Sequence, residues 1–114
     1  MTTADTRLPF DGVTLTVDVR YLDDHVIVQV RGELDISNAH DLRQAVATIE
    51  LGGRQRVELD LSDLTFCDAG GITALLRVQR AVERAGGRLL VRGLSGEPRA
   101  VLAVTHVDDV LGLD

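Results

Sequence analysis

Residues 13–20 read VTLTVDVR, a strict alternation of apolar and polar side chains. Side chains of an extended strand point to opposite faces in turn, so this pattern predicts a strand with one buried and one solvated face. Residues 25–32, HVIVQVRG, predict a second strand, and the polar pair Asp23-Asp24 between the two indicates a hairpin. The residues predicted to face inward in the first strand are Val13, Leu15, Val17 and Val19.

The pattern then changes from a period of two to a helical period. Apolar residues recur three and four positions apart between positions 39 and 49, which predicts a helix. Ser37 or Asn38 is the predicted N-cap of this helix. Gly52-Gly53 is predicted to end it, because glycine closes a helix without steric cost.

Further segments continue the alternation between strands and helices. Residues 56–62 predict a strand, and a helix is predicted from Ala69 to a stop at Gly86-Gly87. Residues 88–93 predict another strand. Ser95 is the predicted cap of a last helix, and the end of the chain is predicted to add a short strand or a turn.

The order of these segments predicts the fold class. Alternating strands and helices favour parallel pairing with right-handed crossovers, which place the helices on one face of the sheet. We therefore expect one α/β domain over residues 11–114, with a mixed four- to five-stranded sheet and helices packed mainly on one face. Residues 1–10, which contain Pro9 and small polar side chains, are predicted to form a flexible N-terminal tail.

Composition disfavours several classes of function. The chain has 114 residues, a formal net charge of −6 and only 3% aromatic residues, which opposes binding to nucleic acid or to an anionic membrane surface. No apolar run approaches the roughly 18 residues needed to cross a membrane, and the start lacks a signal-peptide pattern. We expect a cytoplasmic protein with no nucleic-acid partner and no membrane insertion; the sequence leaves its oligomeric state open.

The sequence shows no pattern of catalytic, metal-binding or cofactor-binding residues. The single cysteine, Cys67, lies in an apolar context and is predicted to be a buried, inert thiol. His25, His40 and His106 lack metal-ligand spacing, and no serine lies in a nucleophile elbow. We therefore expect no enzymatic activity, no metal and no cofactor.

Residues 66–73, FCDAGGIT, join an extended segment to the second predicted helix. Asp68 is the natural N-cap, because its carboxylate can accept hydrogen bonds from the free amides of the first turn. Gly70 and Gly71 each cost roughly 0.5–1 kcal/mol relative to alanine, which indicates a need for access or for tight packing. Asp68 is interpreted either as a cap alone or as a cap within a docking surface. Asp35 is interpreted either as a turn residue or as part of that surface.

Three segments together resemble STAS domains, specifically the bacterial anti-sigma factor antagonists. They are GELDISNAHDLR at 32–43, DLSDLTFCDAGGITALL at 60–76 and LSGEPRAVLAVTHVDDVL at 94–111. In this family the unmodified antagonist binds an anti-sigma factor, usually an ATP-binding serine kinase, and so frees a sigma factor. The partner-binding residues that the resemblance implies are Asp35, Asp68, Ala69, Gly70, Gly71 and Thr73.

The chain departs from the family directly after the motif aspartate. Relatives carry a serine or threonine there, which the kinase phosphorylates to end the association, whereas this chain carries Ala69. Gly70 also lacks a hydroxyl, and Thr73 is the nearest residue that has one. The resemblance thus implies an antagonist with no phosphoacceptor at this position. Two alternatives are a soluble STAS scaffold or accessory subunit of a transport complex, and a degenerate domain that competes with phosphorylatable relatives for one kinase.

Overall fold

The computed structural model describes residues 5–96, 98 and 99, with side chains from residue 12 onward. Within this part of the chain the elements are β1 (Asp5–Asp11), β2 (Leu15–Tyr21), β3 (His25–Leu34), α1 (Ala39–Ala47), β4 (Arg56–Asp60), β5 (Leu64–Cys67), α2 (Ala69–Arg84) and β6 (Arg88–Arg92).

The strands form one mixed sheet in the order β1-β2-β3-β4-β6, and the short strand β5 also pairs with β3. β2 is antiparallel to β1 and to β3, as the predicted hairpin requires. β4 and β5 are both parallel to β3, and β6 is parallel to β4. One edge of β3 is therefore divided: residues 25–29 pair with β4 and residues 32–34 with β5.

Valine and leucine side chains fill the core between the sheet and the two helices. Val17 of β2, Val28 of β3 and Leu59 of β4 come from alternate positions on one sheet face and are at most 1% exposed. Leu42 of α1 and Leu75 of α2 are fully buried against that face. The predicted fold class is confirmed: a single α/β domain with a mixed sheet and helices on one face.

The N-terminal segment differs from its prediction. Residues 5–11 form β1 rather than a tail, and β1 pairs antiparallel with β2 at the sheet edge. Pairing shifts register between Arg7 and Phe10, so Pro9 lies at an irregularity where no ladder donor is required. Val13, predicted to face inward, lies in the turn before β2 and is fully exposed. The prediction extended the alternation of β2 back into the preceding turn, where successive side chains do not point to opposite faces.

The helix ends differ in detail. α1 ends at Ala47, and Gly52-Gly53 forms instead the turn into β4. Asn38 holds the N-cap position of α1, but its side chain makes no capping bond. α2 begins at Ala69 behind Asp68, as predicted. The predicted last helix and C-terminal segment lie largely outside the described residues.

Candidate partner-docking site

Asp68 connects two segments that follow the C-terminal ends of neighbouring strands, at the same end of the sheet. β3 and β5 are parallel neighbours, so the residues that follow them meet there. The Gly71 amide, in the first turn of α2, donates to Oδ1 of Asp68 at 2.8 Å. The amide of Ile36, in the loop between β3 and α1, donates to Oδ2 at 3.3 Å. The predicted cap is confirmed, and the same carboxylate also fixes the loop after β3.

Asp35, the first residue of that loop, is held as a turn residue. Its Oδ1 accepts hydrogen bonds from the Ser37 amide at 2.9 Å and from the Ser37 hydroxyl at 2.5 Å. The hydroxyl bond is the main cause that lowers the pKa of the Asp35 carboxyl, with the Ser37 and Asn38 amides contributing. The charged form is therefore favoured at neutral pH. The turn role is observed, and contact with a partner stays a prediction.

Asn38 fixes the loop from within, and it is the one buried polar side chain among the residues with described side chains, at 6% exposure. Its Oδ1 accepts from the Asp35 amide at 2.9 Å, and its Nδ2 donates to the Glu33 carbonyl at 2.8 Å. Both ends of the buried amide are thus paired, as buried polar groups require. Asn38 was predicted only as a helix cap, whereas its side chain sets the path of the loop.

Gly70 and Gly71 are required by close packing of α2 against the end of β3. A Cβ atom on Gly70 would lie 2.8 Å from both Cα and Cβ of Ile36. A Cβ atom on Gly71 would lie 2.7 Å from the Leu34 carbonyl oxygen. Tight packing therefore explains both glycines. Gly71, predicted to bind the partner, is buried beneath the surface and has no side chain to present.

The other predicted positions lie together on one surface. Ala69 and Thr73 are exposed at the start of α2, and the Thr73 hydroxyl donates within the helix to the Ala69 carbonyl at 3.0 Å. Asp35, Asp68 and Gly70 are half-buried beside them. The structure thus brings five predicted residues to one end of the sheet.

Exposed apolar side chains lie on segments near this end of the sheet. Ile36 is 80% exposed, Phe66 is 38% exposed and Val13 is fully exposed; these are the large exposed apolar residues of the described part of the chain. Phe66 lies in β5 directly before the capped helix end, and Ile36 is the residue bound by Asp68. Exposed apolar residues near polar groups are typical of a protein-binding surface.

Ile36 was not among the predicted site residues. It lies two positions after Leu34 and so continues the alternation of β3, a pattern that predicts burial. Its exposure arises because β3 ends at Leu34 and Ile36 lies in the loop that follows.

Cys67 is buried below the junction, as predicted. Burial, together with the neighbouring charge of Asp68, raises the pKa of the Cys67 thiol to about 11. The thiol is therefore protonated at neutral pH, which disfavours nucleophilic or redox chemistry.

Across residues 5–96, 98 and 99, no group of three or more histidine, cysteine or acidic side chains is placed to hold a metal ion. His106 lies outside the described residues. In the same part of the chain, neither helix has the length and hydropathy that crossing a bilayer requires.

A mixed sheet with helices on one face carries a capped helix end, with the exposed side chains of Ile36 and Phe66 on the adjoining segments, an arrangement typical of protein-interaction domains. Residues 17–113 match the family described as "Mlab, STAS domain". Because this match covers most of the chain, the chain belongs to the STAS domain family.

Similar proteins include regulators and transporter-family proteins. The anti-sigma-B factor antagonist of Bacillus subtilis (strain 168) is 23% identical over 101 residues, or 89% of this chain and 92% of that protein. An anti-sigma factor antagonist from Mycobacterium paratuberculosis shares the fold with a TM-score of 0.76 at 23% identity, over 91% of this chain and 89% of the other. A sulfate transporter family protein from Wolinella succinogenes gives a TM-score of 0.64 at 25% identity, over 75% of this chain and 69% of the other.

Proposed function

We propose that this protein is a cytoplasmic anti-sigma factor antagonist. It binds an anti-sigma factor of the ATP-binding serine kinase type and so frees a sigma factor. Family membership and the relatives named as antagonists support this proposal. The docking surface consists of Asp35, Ile36, Phe66, Asp68, Ala69, Gly70 and Thr73.

The exposed side chain of Ile36 is the observation that carries the proposal. Its backbone is held by the hydrogen bond to Asp68 and by close contact with Gly70. Because the residue is already ordered, little conformational entropy is lost when a partner covers it. Burying an isoleucine side chain contributes about 1.5–3 kcal/mol, which is the scale expected of an interface anchor.

The second part of the proposal concerns regulation. Ala69 takes the position where the resemblance places a phosphoacceptor, and Gly70 beside it also lacks a hydroxyl. Thr73 is exposed, but its hydroxyl is bonded to the Ala69 carbonyl one turn earlier. We infer that the partner kinase does not end this association by phosphorylating the docking surface.

Ala69→Asp tests the docking surface. A carboxylate buried at an interface without a partner costs several kcal/mol, so we expect at least about tenfold weaker binding, or roughly 1.4 kcal/mol. The fold should keep its stability within about 1 kcal/mol, because the helix dipole and helix propensity act in opposite directions. Titration calorimetry and chemical denaturation on one preparation separate the two quantities.

Gln44→Glu is the matched control for added charge. Gln44 is exposed on α1 and lies outside the docking surface. The affinity of Gln44→Glu for the partner should therefore stay within about twofold of that of the original protein. Unchanged affinity in folded Ala69→Asp would mean that position 69 lies outside the interface, and the proposed docking surface would be wrong.

Ala69→Ser tests the regulatory part. With the partner kinase and labelled ATP, the original protein should stay unlabelled and Ala69→Ser should take up label at position 69. Stoichiometric label on the original protein, at Thr73 or at any other residue, would contradict the proposed absence of phosphorylation control.

A second candidate function is that of an accessory subunit in a transport complex. The fold shared with a sulfate transporter family protein favours it. Affinity capture from native lysate separates the two candidates. Recovery of an ATP-binding anti-sigma factor supports the antagonist, and recovery of transport ATPase subunits supports the accessory subunit.

A further inference from the structure

A second surface lies along the seam between α1 and α2. It is a groove of about 430 Å³. We call it the arginine groove, because Arg43, Arg77, Arg80 and Arg84 line it above an apolar floor that includes Val46 and Val78. The net charge of the whole chain is −6, so this concentration of positive charge runs against the overall balance.

The groove arginines are not used in ion pairs within the described part of the chain. On the sheet, Arg31, Arg56 and Arg92 each have a carboxylate within 4.0 Å. Neither Asp41 of α1 nor Glu83 of α2 forms such a pair with a groove arginine. The guanidinium groups of Arg77, Arg80 and Arg84 are therefore available to an external anion, and that of Arg43 makes one long contact, to Nδ1 of His40 at 3.4 Å.

The spacing of the groove arginines suits a helical ligand. Arg77 and Arg84 lie about 10 Å apart along α2, since the rise of a helix is about 1.5 Å per residue. That span corresponds to about two turns of a second helix, so carboxylates two turns apart can reach both arginines. Ala81, which is half-buried, gives the groove an apolar patch for one side of such a helix, above Val46 and Val78, which are 5% and 2% exposed.

We propose that the arginine groove binds an acidic amphipathic helix of a partner protein. Guanidinium groups bind carboxylates in bidentate pairs, and the chain has arginine but no lysine among its 12 positively charged residues. The apolar floor favours a helix over a nucleic acid. No aromatic side chain lines the groove for base stacking.

The arginine groove is continuous with the docking surface. A smaller groove, lined by Ile36, Gly70 and Thr73 at one end and by Arg43 and Arg77 at the other, joins the two. A partner bound at the start of α2 could therefore extend along the seam. The proposal itself does not depend on which protein docks there.

The test is an NMR titration of the ¹⁵N-labelled protein with a stapled synthetic helix. The peptide has about sixteen residues, with one leucine stripe flanked by glutamates. We expect shifts at the amides of Arg43, Val46 and Val78. A glutamine version of the peptide should bind at least about tenfold more weakly, and added salt should weaken the acidic peptide severalfold.

Arg80→Gln and Arg20→Gln provide the matched variants. Both arginines are exposed, but Arg20 lies on β2, away from the helices. Arg80→Gln should weaken the acidic peptide at least about threefold, and Arg20→Gln should leave its affinity unchanged. Thermal unfolding of both variants checks that the fold is retained.

Three results would overturn the proposal. One is the absence of NMR shifts at the amides of the groove residues with about 2 mM peptide. At that concentration even a complex with a millimolar dissociation constant would be detected. Another is equal binding of the glutamine peptide. The last is binding of polyphosphate or a single-stranded oligonucleotide to the same residues as tightly as the acidic peptide, which would make the groove a general anion site.

Discussion

At the start of α2, the absence of a Cβ atom on Gly70 allows the helix to pack closely against the segment that follows β3. Gly70→Ala would place a methyl group 2.8 Å from Cα and Cβ of Ile36. The gain in helix propensity is about 1 kcal/mol, whereas overpacking costs about 1–3 kcal/mol. The Cα atom of Ile36 is a backbone atom and cannot move aside as a side-chain end can. We therefore expect a net loss of about 1–2 kcal/mol in the free energy of unfolding, measured by urea denaturation.

Gly87→Ala is the control for this substitution. Its Cβ would meet only the side-chain ends of Leu51 and Val82 at 3.1 Å, with the Val82 carbonyl oxygen at 3.3 Å. Flexible ends can move, so this variant should lose less stability than Gly70→Ala. A stabilised Gly70→Ala would show that the loop yields and that tight packing does not explain the glycine.

Asp68 carries two hydrogen bonds that join different elements. Asp68→Ala should lower the free energy of unfolding by about 0.5–2 kcal/mol, the range for loss of a helix cap. Glu83→Ala removes the same charge from an exposed position near the end of α2 and should change stability by less than about 0.5 kcal/mol. Equal melting temperatures for Asp68→Ala and the original protein would contradict the importance of the cap.

At the scale of elements, the loop between β3 and α1 depends on one buried amide. Asn38→Ala would leave the Glu33 carbonyl and the Asp35 amide without their side-chain partner. An unsatisfied buried group costs about 1–3 kcal/mol, and these two hydrogen bonds are only partly buried, so we expect a loss of about 1–2 kcal/mol in unfolding free energy. Asn38→Asp keeps the acceptor for the Asp35 amide but places an oxygen against the Glu33 carbonyl and buries a charge, so it should lose at least as much as Asn38→Ala; a smaller loss for Asn38→Asp would contradict the role assigned to Nδ2.

The repeating elements were predictable because their patterns report burial directly. The alternation in β2 and β3 and the helical stripe of α2 each have one apolar face, and each was placed within a few residues. β1 was missed because it has no such pattern and contains Pro9. It is held by pairing with β2 at the sheet edge, and pairing between strands cannot be read from a local window.

The candidate site was predictable only where one residue has a local role. Asp68 was identified because capping depends on the next few residues. The exposure of Ile36 and the arginine groove depend on how the loop and the two helices come together. The spacing of Arg77, Arg80 and Arg84 along α2 was visible, but their common groove with Arg43 of α1 required the packing of both helices.

For the molecule as a whole, Cys67 couples stability to alkaline pH. The folded state raises the pKa of its thiol from 9.0 to about 11, so the folded protein holds this proton more tightly than the unfolded chain. The contribution of this thiol to the free energy of unfolding is therefore fully present below pH 9.0. It is lost as the pH rises through about 11, and the loss is on the order of 2 kcal/mol.

Chemical denaturation at intervals across this range measures the effect. Cys67→Ala is expected to be less stable at neutral pH, because a buried side chain is shortened. It should nevertheless lose less stability between neutral and alkaline pH than the original protein. Parallel curves for the two proteins would show that the thiol does not titrate across the folding transition.

The divided edge of β3 gives the domain two parts that can open separately. The lower part, residues 25–29, lies between the seven-residue strand β2 and the five-residue strand β4, whereas residues 32–34 are held on that edge by the four-residue strand β5. Local opening of the upper part breaks few backbone bonds and leaves the main core closed. In native-state hydrogen exchange, the amides of Gly32 and Asp68 should therefore exchange at a lower free energy than that of Val28. The end that presents Ile36 to a partner can then adjust its shape while the rest of the sheet remains folded.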